Sequence, residues 1–185
     1  MAFRRRRREA PLDPGALEAP WRARVEDALA SRQRFRALVE SAPAGPVLDR
    51  LASLDERVEG GVTAAWDIAN RAAAAARMLD TMDLGQANAR LKDARRRLAL
   101  DPAVQAEVDV LAEQNAALNS MANSVEAADE RLRLVDLRLQ AAVARAAQIV
   151  LRPDAVDQLG GVDQELTAVT DELAALRAGL DAVGG

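Results

Sequence analysis

Apolar residues recur at Val104, Val108, Leu111, Leu118, Met121, Val125, Ala128, Leu132, Val135, Leu139, Ala142, Ala146 and Ile149, in steps of three and four. One beat is skipped, at position 115, where the heptad calls for an apolar residue and the chain has Asn. That spacing is one face of an α-helix read in heptads. Asp101-Pro102 is a start signal, because Asp caps free amides and Pro fits the first helical position. Pro153 is a stop, and neither Gly nor Pro lies between. The pattern predicts one helix over 102–151, about 75 Å long at 1.5 Å per residue. No compact globule of this chain length wraps such a rod, so the expected fold is elongated.

Four further helices are predicted around it. The first spans 20–42, with Trp21, Val25, Ala28, Leu29, Phe35, Leu38, Val39 and Ala42 on its apolar side. Arg32 and Arg36 fall inside that same sector and make the face impure. Pro43-Ala44-Gly45-Pro46 forces a turn. The second helix, 47–82, carries one stripe through Val47, Leu51, Leu54, Val58, Gly61, Ala65, Ile68, Ala72, Ala75 and Leu79. A second stripe, Val62, Trp66, Ala69 and Ala73, lies beside it. Two stripes require two neighbours, hence a bundle or an oligomer. Gly60-Gly61, each costing about 1 kcal/mol relative to Ala, marks a kink or a close helix approach. Asp83-Leu84-Gly85 breaks the phase, and a short helix follows to about Leu100. Its stripe is out of phase with Val104 and Val108, which predicts a hairpin or sharp bend near Pro102. The second and third helices together match the long one in length, so it is expected to lie antiparallel along both. The fifth covers 153–183, interrupted or kinked at Gly160-Gly161, with Val162, Leu166, Val169, Leu173, Leu176, Leu180 and Val183 as its seam.

The expected fold is therefore all-α, an elongated antiparallel coiled coil or helical bundle of about five helices over residues 20–185. Residues 1–19, with Arg4 to Arg8, Pro11, Pro14 and Gly15, are expected to form a disordered basic arm. Only 2% of residues are aromatic, and Ala, Leu, Arg, Glu and Asp dominate, which suits long helices and leaves β-structure unsupported. Lys92 is the only Lys, an Arg bias fitting a high-GC genome. Charge is uneven. Arg4 to Arg8 supply +5 within a formal total of −4, while residues 153–185 carry seven carboxylates against Arg177. A basic head and an acidic tail could attract within one chain or between copies.

Candidate chemistry is sparse. The chain has no His and no Cys, which removes the commonest general base, the thiol nucleophile and most transition-metal ligands. The Glu-x-x-His pairs of a di-iron bundle cannot exist, and no phosphate-cradling Gly motif occurs. The expectation is no enzyme, no cofactor, no metal and no small-molecule substrate. Arg4, Arg5, Arg6, Arg7 and Arg8 either touch an anionic membrane weakly, at about 1 kcal/mol per basic residue, or stay solvated. Nucleic acid is not expected, because the rest of the chain is acidic and lacks a stacking platform. Asn115 either sets a register through a buried polar contact or marks an exposed stretch of the long helix. Trp66 reads as a packing or interface residue. With no Cys, no apolar run of about 18 residues and no secretory signal, the expected location is cytoplasmic. Lipid binding by the arm would place the protein at the inner face of the cell membrane.

The stretch SAPAGPVLDRLASLDERVEGGVTAAWDIA (Ser41 to Ala69), with ADERLRLVDLRLQAAVARA (Ala128 to Ala146), resembles uncharacterised coiled-coil proteins of high-GC bacteria. The architecture is loosely similar to phage-shock-protein-A-like and ESCRT-III-like proteins, which resemblance implies a long helical hairpin behind a membrane-active first helix. Neither likeness carries site residues over. Two functions are expected from these readings. The first is a non-enzymatic coiled-coil scaffold or adaptor working through a protein partner or self-association. The second is a peripheral membrane protein using the basic arm and the first helix. They differ in whether that helix has its apolar side buried or free.

Overall fold

The computed structural model describes residues 12–151 and 159–184, and among them every regular element is helical. The helices are α1 (Trp21–Ser41), α2 (Pro46–Met82), α3 (Leu84–Leu98), α4 (Gln105–Leu151) and α5 (Leu159–Gly184), with short 3-10 turns at Pro14–Ala16 and Pro102–Val104. Arg4 to Arg8 lie outside the described residues.

The boundaries follow from local chemistry. Pro46 occupies the first turn of α2 behind Gly45, whose φ of 140° an L side chain rarely adopts. Asp83 turns left-handed at φ 39° and its side chain accepts the Gln86 amide at 2.9 Å, ending α2 and capping α3 in one residue. Asp101 accepts the Ala103 amide at 2.9 Å, so the predicted start signal caps the 3-10 turn from which α4 departs.

Cross-helix polar contacts show the directions. Arg24 meets Asp129 and Ser31 meets Asp136, so α1 and α4 run the same way. Arg32 reaches Glu59 at 2.8 Å and Arg36 reaches Asp55 at 3.6 Å, which makes α1 and α2 antiparallel. Arg145–Glu165 and Arg138–Glu172 make α4 and α5 antiparallel. Helices α2 and α4 form the central pair, and α1 and α5 each pack on both. α3 continues in the direction of α2 and lies antiparallel on the first half of α4, with Arg97 opposite Glu107 and Ala87 opposite Asn115. The phase break at Pro102 is thus a hairpin, and α4, about 70 Å long, backs both α2 and α3.

The predicted stripes are what the core contains. Trp21, Val25, Ala28 and Phe35 of α1 are buried with Leu51, Leu54, Val58, Ile68 and Ala72 of α2. Leu132, Val135, Leu139, Ala142, Ala146 and Ile149 of α4 meet Val162, Leu166, Val169, Leu173 and Leu176 of α5 in the same cluster. The second stripe of α2 is used as well, since Val62, Ala69 and Ala73 are buried and Trp66 is half-buried at the cluster's edge. Its extra neighbours are therefore helices of the same chain.

Three expectations are corrected. The arm expected over 1–19 does not extend through its last residues. Pro14–Ala16 forms a turn capped by Asp13, and Leu17, 3% exposed, joins the main core, because one apolar side chain there covers the start of α1. The long helix expected from 102 starts as a 3-10 turn and becomes α-helical only at Gln105. Gly160-Gly161 does not interrupt α5, which runs through both; a Cβ at Gly161 would stand 3.3 Å from the tip of the Arg145 side chain, which can move aside.

α2 is likewise continuous through Gly60-Gly61, and the two glycines differ. A Cβ on Gly61 would stand 3.5 Å from Val169 of α5, whereas one on Gly60 would meet nothing within 4 Å. Gly60→Ala is expected to stabilise by about 1 kcal/mol, the helix-propensity difference. Gly61→Leu is expected to destabilise by about 1–3 kcal/mol through overpacking. Urea midpoints of the two variants check both; equal shifts would mean that α5 does not press on Gly61.

Candidate interaction surface

The apolar stripes that suggested oligomerisation are consumed inside the chain, so a surface for partners has to be sought where packing is incomplete. The α3–α4 hairpin is that place. Its core is separate from the main one and small: Leu91, Ala94 and Val108 are buried, with Leu98, Val104, Leu111 and Ala112 packed around them. α3 has helices on one side only, and its outer side faces away from the bundle.

That outer side is cationic. Between Leu84 and Leu98 the chain carries Arg90, Lys92, Arg95, Arg96 and Arg97 against Asp93, a net +4 in a protein of net −4. Arg97 is held by Glu107 and, at 3.4 Å, by Asp93. Arg90, Lys92, Arg95 and Arg96 are exposed and make no ion pair with any described residue. Lys92, Arg95 and Arg96 are three and four residues apart and share one side of the helix. At the tip Leu100 is 90% exposed, and Val110 on the α4 limb is 66% exposed. Sequence reasoning placed positive charge on Arg4 to Arg8 and missed this face. The run of Arg95 to Arg97 was visible, but it became a separate surface only once α3 was seen to have no second neighbour.

Asn115 sits at the base of the hairpin. It is 3% exposed, and its Nδ2 donates to the Ala87 carbonyl at 2.9 Å, while its Oδ1 is buried without a partner. One satisfied donor ties α3 to α4 in a single alignment, and one orphaned acceptor costs stability. Asn115→Leu is expected to raise the hairpin's stability by about 1 kcal/mol and to loosen its alignment. Thermal melts and the sharpness of α3 amide resonances measure the two effects; sharper resonances in the variant would contradict a register role. Trp66 is on the other side of the molecule's organisation, at the edge of the main core, and is not brought near Asn115.

The remaining charges are used differently. The impure face of α1 is explained by Glu59, which takes Arg32 at 2.8 Å and Arg36 at 2.6 Å. Four carboxylates of α5 are paired within the bundle: Arg57 and Arg71 of α2 and Arg138 and Arg145 of α4 pair with Asp163, Asp181, Glu172 and Glu165 respectively. Such exposed pairs contribute at most about 1 kcal/mol each, so they set register more than stability. Arg24 holds Asp129 through two bonds, 2.8 and 3.1 Å.

Asp136 is the one carboxylate among the described residues that the bundle buries, at 7% exposed. It accepts from Gln140 at 2.7 Å and faces the buried Ser31 hydroxyl at 3.5 Å. Burial pushes its carboxyl above the ordinary carboxylate value and nearby Asp27 adds to this, against hydrogen bonds from Gln140 and Ser31 and the charge of Arg34. The folded state thus holds the proton to higher pH than the unfolded one. Stability falls as pH rises from the ordinary carboxylate value through the raised one, and the loss is complete above it. Asp136→Asn is expected to raise Tm by a few degrees near pH 7 and to change it little near pH 3. Melts at both pH values test this; a variant less stable near pH 7 would show that the charge is well solvated.

A concavity lies where α1 begins, between the end of α2 and the middle of α4. It has a volume of about 370 Å³ and is lined by Trp21, Ala73, Ala76 and Val125, with Glu18, Asp80, Glu126, Asp129, Glu130 and Arg77 at its rim. Among the described residues no three Asp or Glu side chains are grouped as a metal ion would require.

Comparison with family models, characterised proteins and solved structures finds no match to this chain. The chemistry of its surfaces has to carry the functional reading. Among the described residues no helix is long and apolar enough to cross a membrane.

Proposed function

We propose that this chain is a non-enzymatic helical scaffold or adaptor that engages protein through the α3–α4 hairpin, the main bundle serving as its rigid mount. The observation that carries the reading is the hairpin itself. It has a three-residue core of its own, a cationic face without ion pairs among the described residues, and exposed Leu100 and Val110. The bundle's stripes are spent on in-chain packing, whereas the hairpin's outer side is spent on nothing described. Helix-to-helix contact suits such a surface, because a helix offers side chains at regular three-four spacing and rigid backbone support.

The alternative, peripheral attachment to anionic lipid, loses one of its two supports. Trp21, Val25, Ala28 and Phe35 are buried, so α1 has no free apolar side to insert, and the arm would act alone.

Photo-cross-linkers placed at Arg96 and Val110 on the hairpin, and at Glu56 and Arg50 on the bundle, test the reading in cells. Adducts confined to the hairpin sites are expected. Adducts at bundle sites alone, or none at any site, would refute it.

A further inference from the structure

We propose that copies of this chain associate head to tail, the basic face of α3 on one copy docking on the acidic concavity of the next. The inference rests on the scaffold reading and names its partner as the chain itself.

The two surfaces are opposite in charge and equally unused. Lys92, Arg95 and Arg96 project from one side of α3 without an ion pair among the described residues. At the concavity Glu18, Asp80, Glu126 and Glu130 are exposed and likewise unpaired among the described residues; Asp129 is taken by Arg24, and Arg77 is the one cation in the lining. A cavity of about 370 Å³ admits arginine side chains and not a helix of about 10 Å diameter, so the contact is side chains entering a rimmed groove.

Geometry forbids the same contact within one copy. Arg97 lies opposite Glu107 and Ala87 opposite Asn115, so Lys92, the nearest residue of the basic face, stands near Leu111 of α4, and the concavity begins at Val125, about 20 Å further along a straight rod and beyond side-chain reach. Both faces ride on packed helices, so neither can fold over to reach the other. Like faces repel, which disfavours a two-fold pairing of hairpin with hairpin. A heterologous contact of this kind propagates into an open chain or closes into a ring. A second copy fits better than a polyanion: outside α3 and the Arg4 to Arg8 run the chain carries a net −13, so the described surface around this face repels nucleic acid or anionic lipid. Exposed charge pairs are individually weak, so the association is of micromolar to millimolar strength and fades as salt shortens the screening length toward the about 3 Å of molar salt.

Sedimentation of the full chain over about 10 μM to 1 mM, at about 20 mM and about 500 mM salt, tests this by charge reversal. One variant carries Lys92→Glu, Arg95→Glu and Arg96→Glu; the other carries Glu126→Arg and Glu130→Arg. Circular dichroism verifies that each is helical, and Gln replaces Glu in the first if α3 is lost. The wild type is expected to gain mass with concentration at low salt only. Each variant alone should associate at least tenfold more weakly, and an equimolar mixture of the two charge-reversed chains should recover association, because each now complements the other. A wild type monomeric at the highest concentration and low salt overturns the proposal while leaving the scaffold reading to its cross-linking test. So does association that survives either reversal, or a mixture of folded Glu and Arg variants that fails to recover it. Binding to anionic vesicles through Lys92, Arg95 and Arg96 by a protein that stays monomeric would assign the face to lipid and overturn it too.

Discussion

Phe35→Ala is expected to lower the stability of the fold by about 3–5 kcal/mol, the upper range for truncating a buried side chain. Phe35 is fully buried in α1, where its ring belongs to the cluster joining α1, α2 and α4. Removing a ring leaves a void that helices held in register by Arg24–Asp129 and Arg32–Glu59 cannot close by sliding. At about 2–4 °C per kcal/mol for a chain of this size, Tm should fall by roughly 6–20 °C. Thermal and urea melts measure it. A loss below about 1 kcal/mol would mean that α1 is only loosely attached, which is what a membrane-inserting first helix would require.

Leu91→Ala is expected to act on the hairpin alone, with a local cost of about 2–3 kcal/mol. Leu91 is the largest of the three residues that make up the buried core between α3 and α4. So small a core leaves little stability to spare, and α3 is supported from one side. Amide protons of α3 should lose most of their exchange protection, while those of α1, α2 and α5 keep theirs. Equal loss of protection in both regions would show that hairpin and bundle unfold as one unit. The variant also bears on function, because a frayed α3 cannot present Lys92, Arg95 and Arg96 on one side. Cross-linking from the hairpin should fall with it.

The helical stripes were legible because their cause is local. Side chains three and four residues apart share a face whatever the helix meets, so Val104 to Ile149 and Val162 to Leu180 announced their buried sides directly. The hairpin at Pro102 was legible for the same reason: a break in phase beside a Pro leaves few alternatives. Less visible were Ser31 and Asp136, polar residues that become buried only because α1 and α4 bring them together. Arg32 and Arg36 looked like flaws in an apolar face until α2 placed Glu59 opposite them. The cationic side of α3 was hidden in plain composition, since a charge run on any helix looks like a solvated face.

Sequence alone determined that this protein is a set of long helices with their apolar sides marked, their phase broken at Asp83 to Gly85, a start signal at Asp101-Pro102, and their turn at Pro43 to Pro46 enforced by backbone chemistry. It also determined that Asn115 would be an exception within its stripe. Only the tertiary structure decided which helix answers which stripe, that the second stripe of α2 is satisfied within the chain, and that α3 stands apart with one side unpartnered. Periodicity is a property of a single helix and survives in the one-dimensional record. Partnership depends on contacts between residues about a hundred positions apart, such as Arg24 with Asp129, and no local pattern encodes which of several equivalent faces will meet.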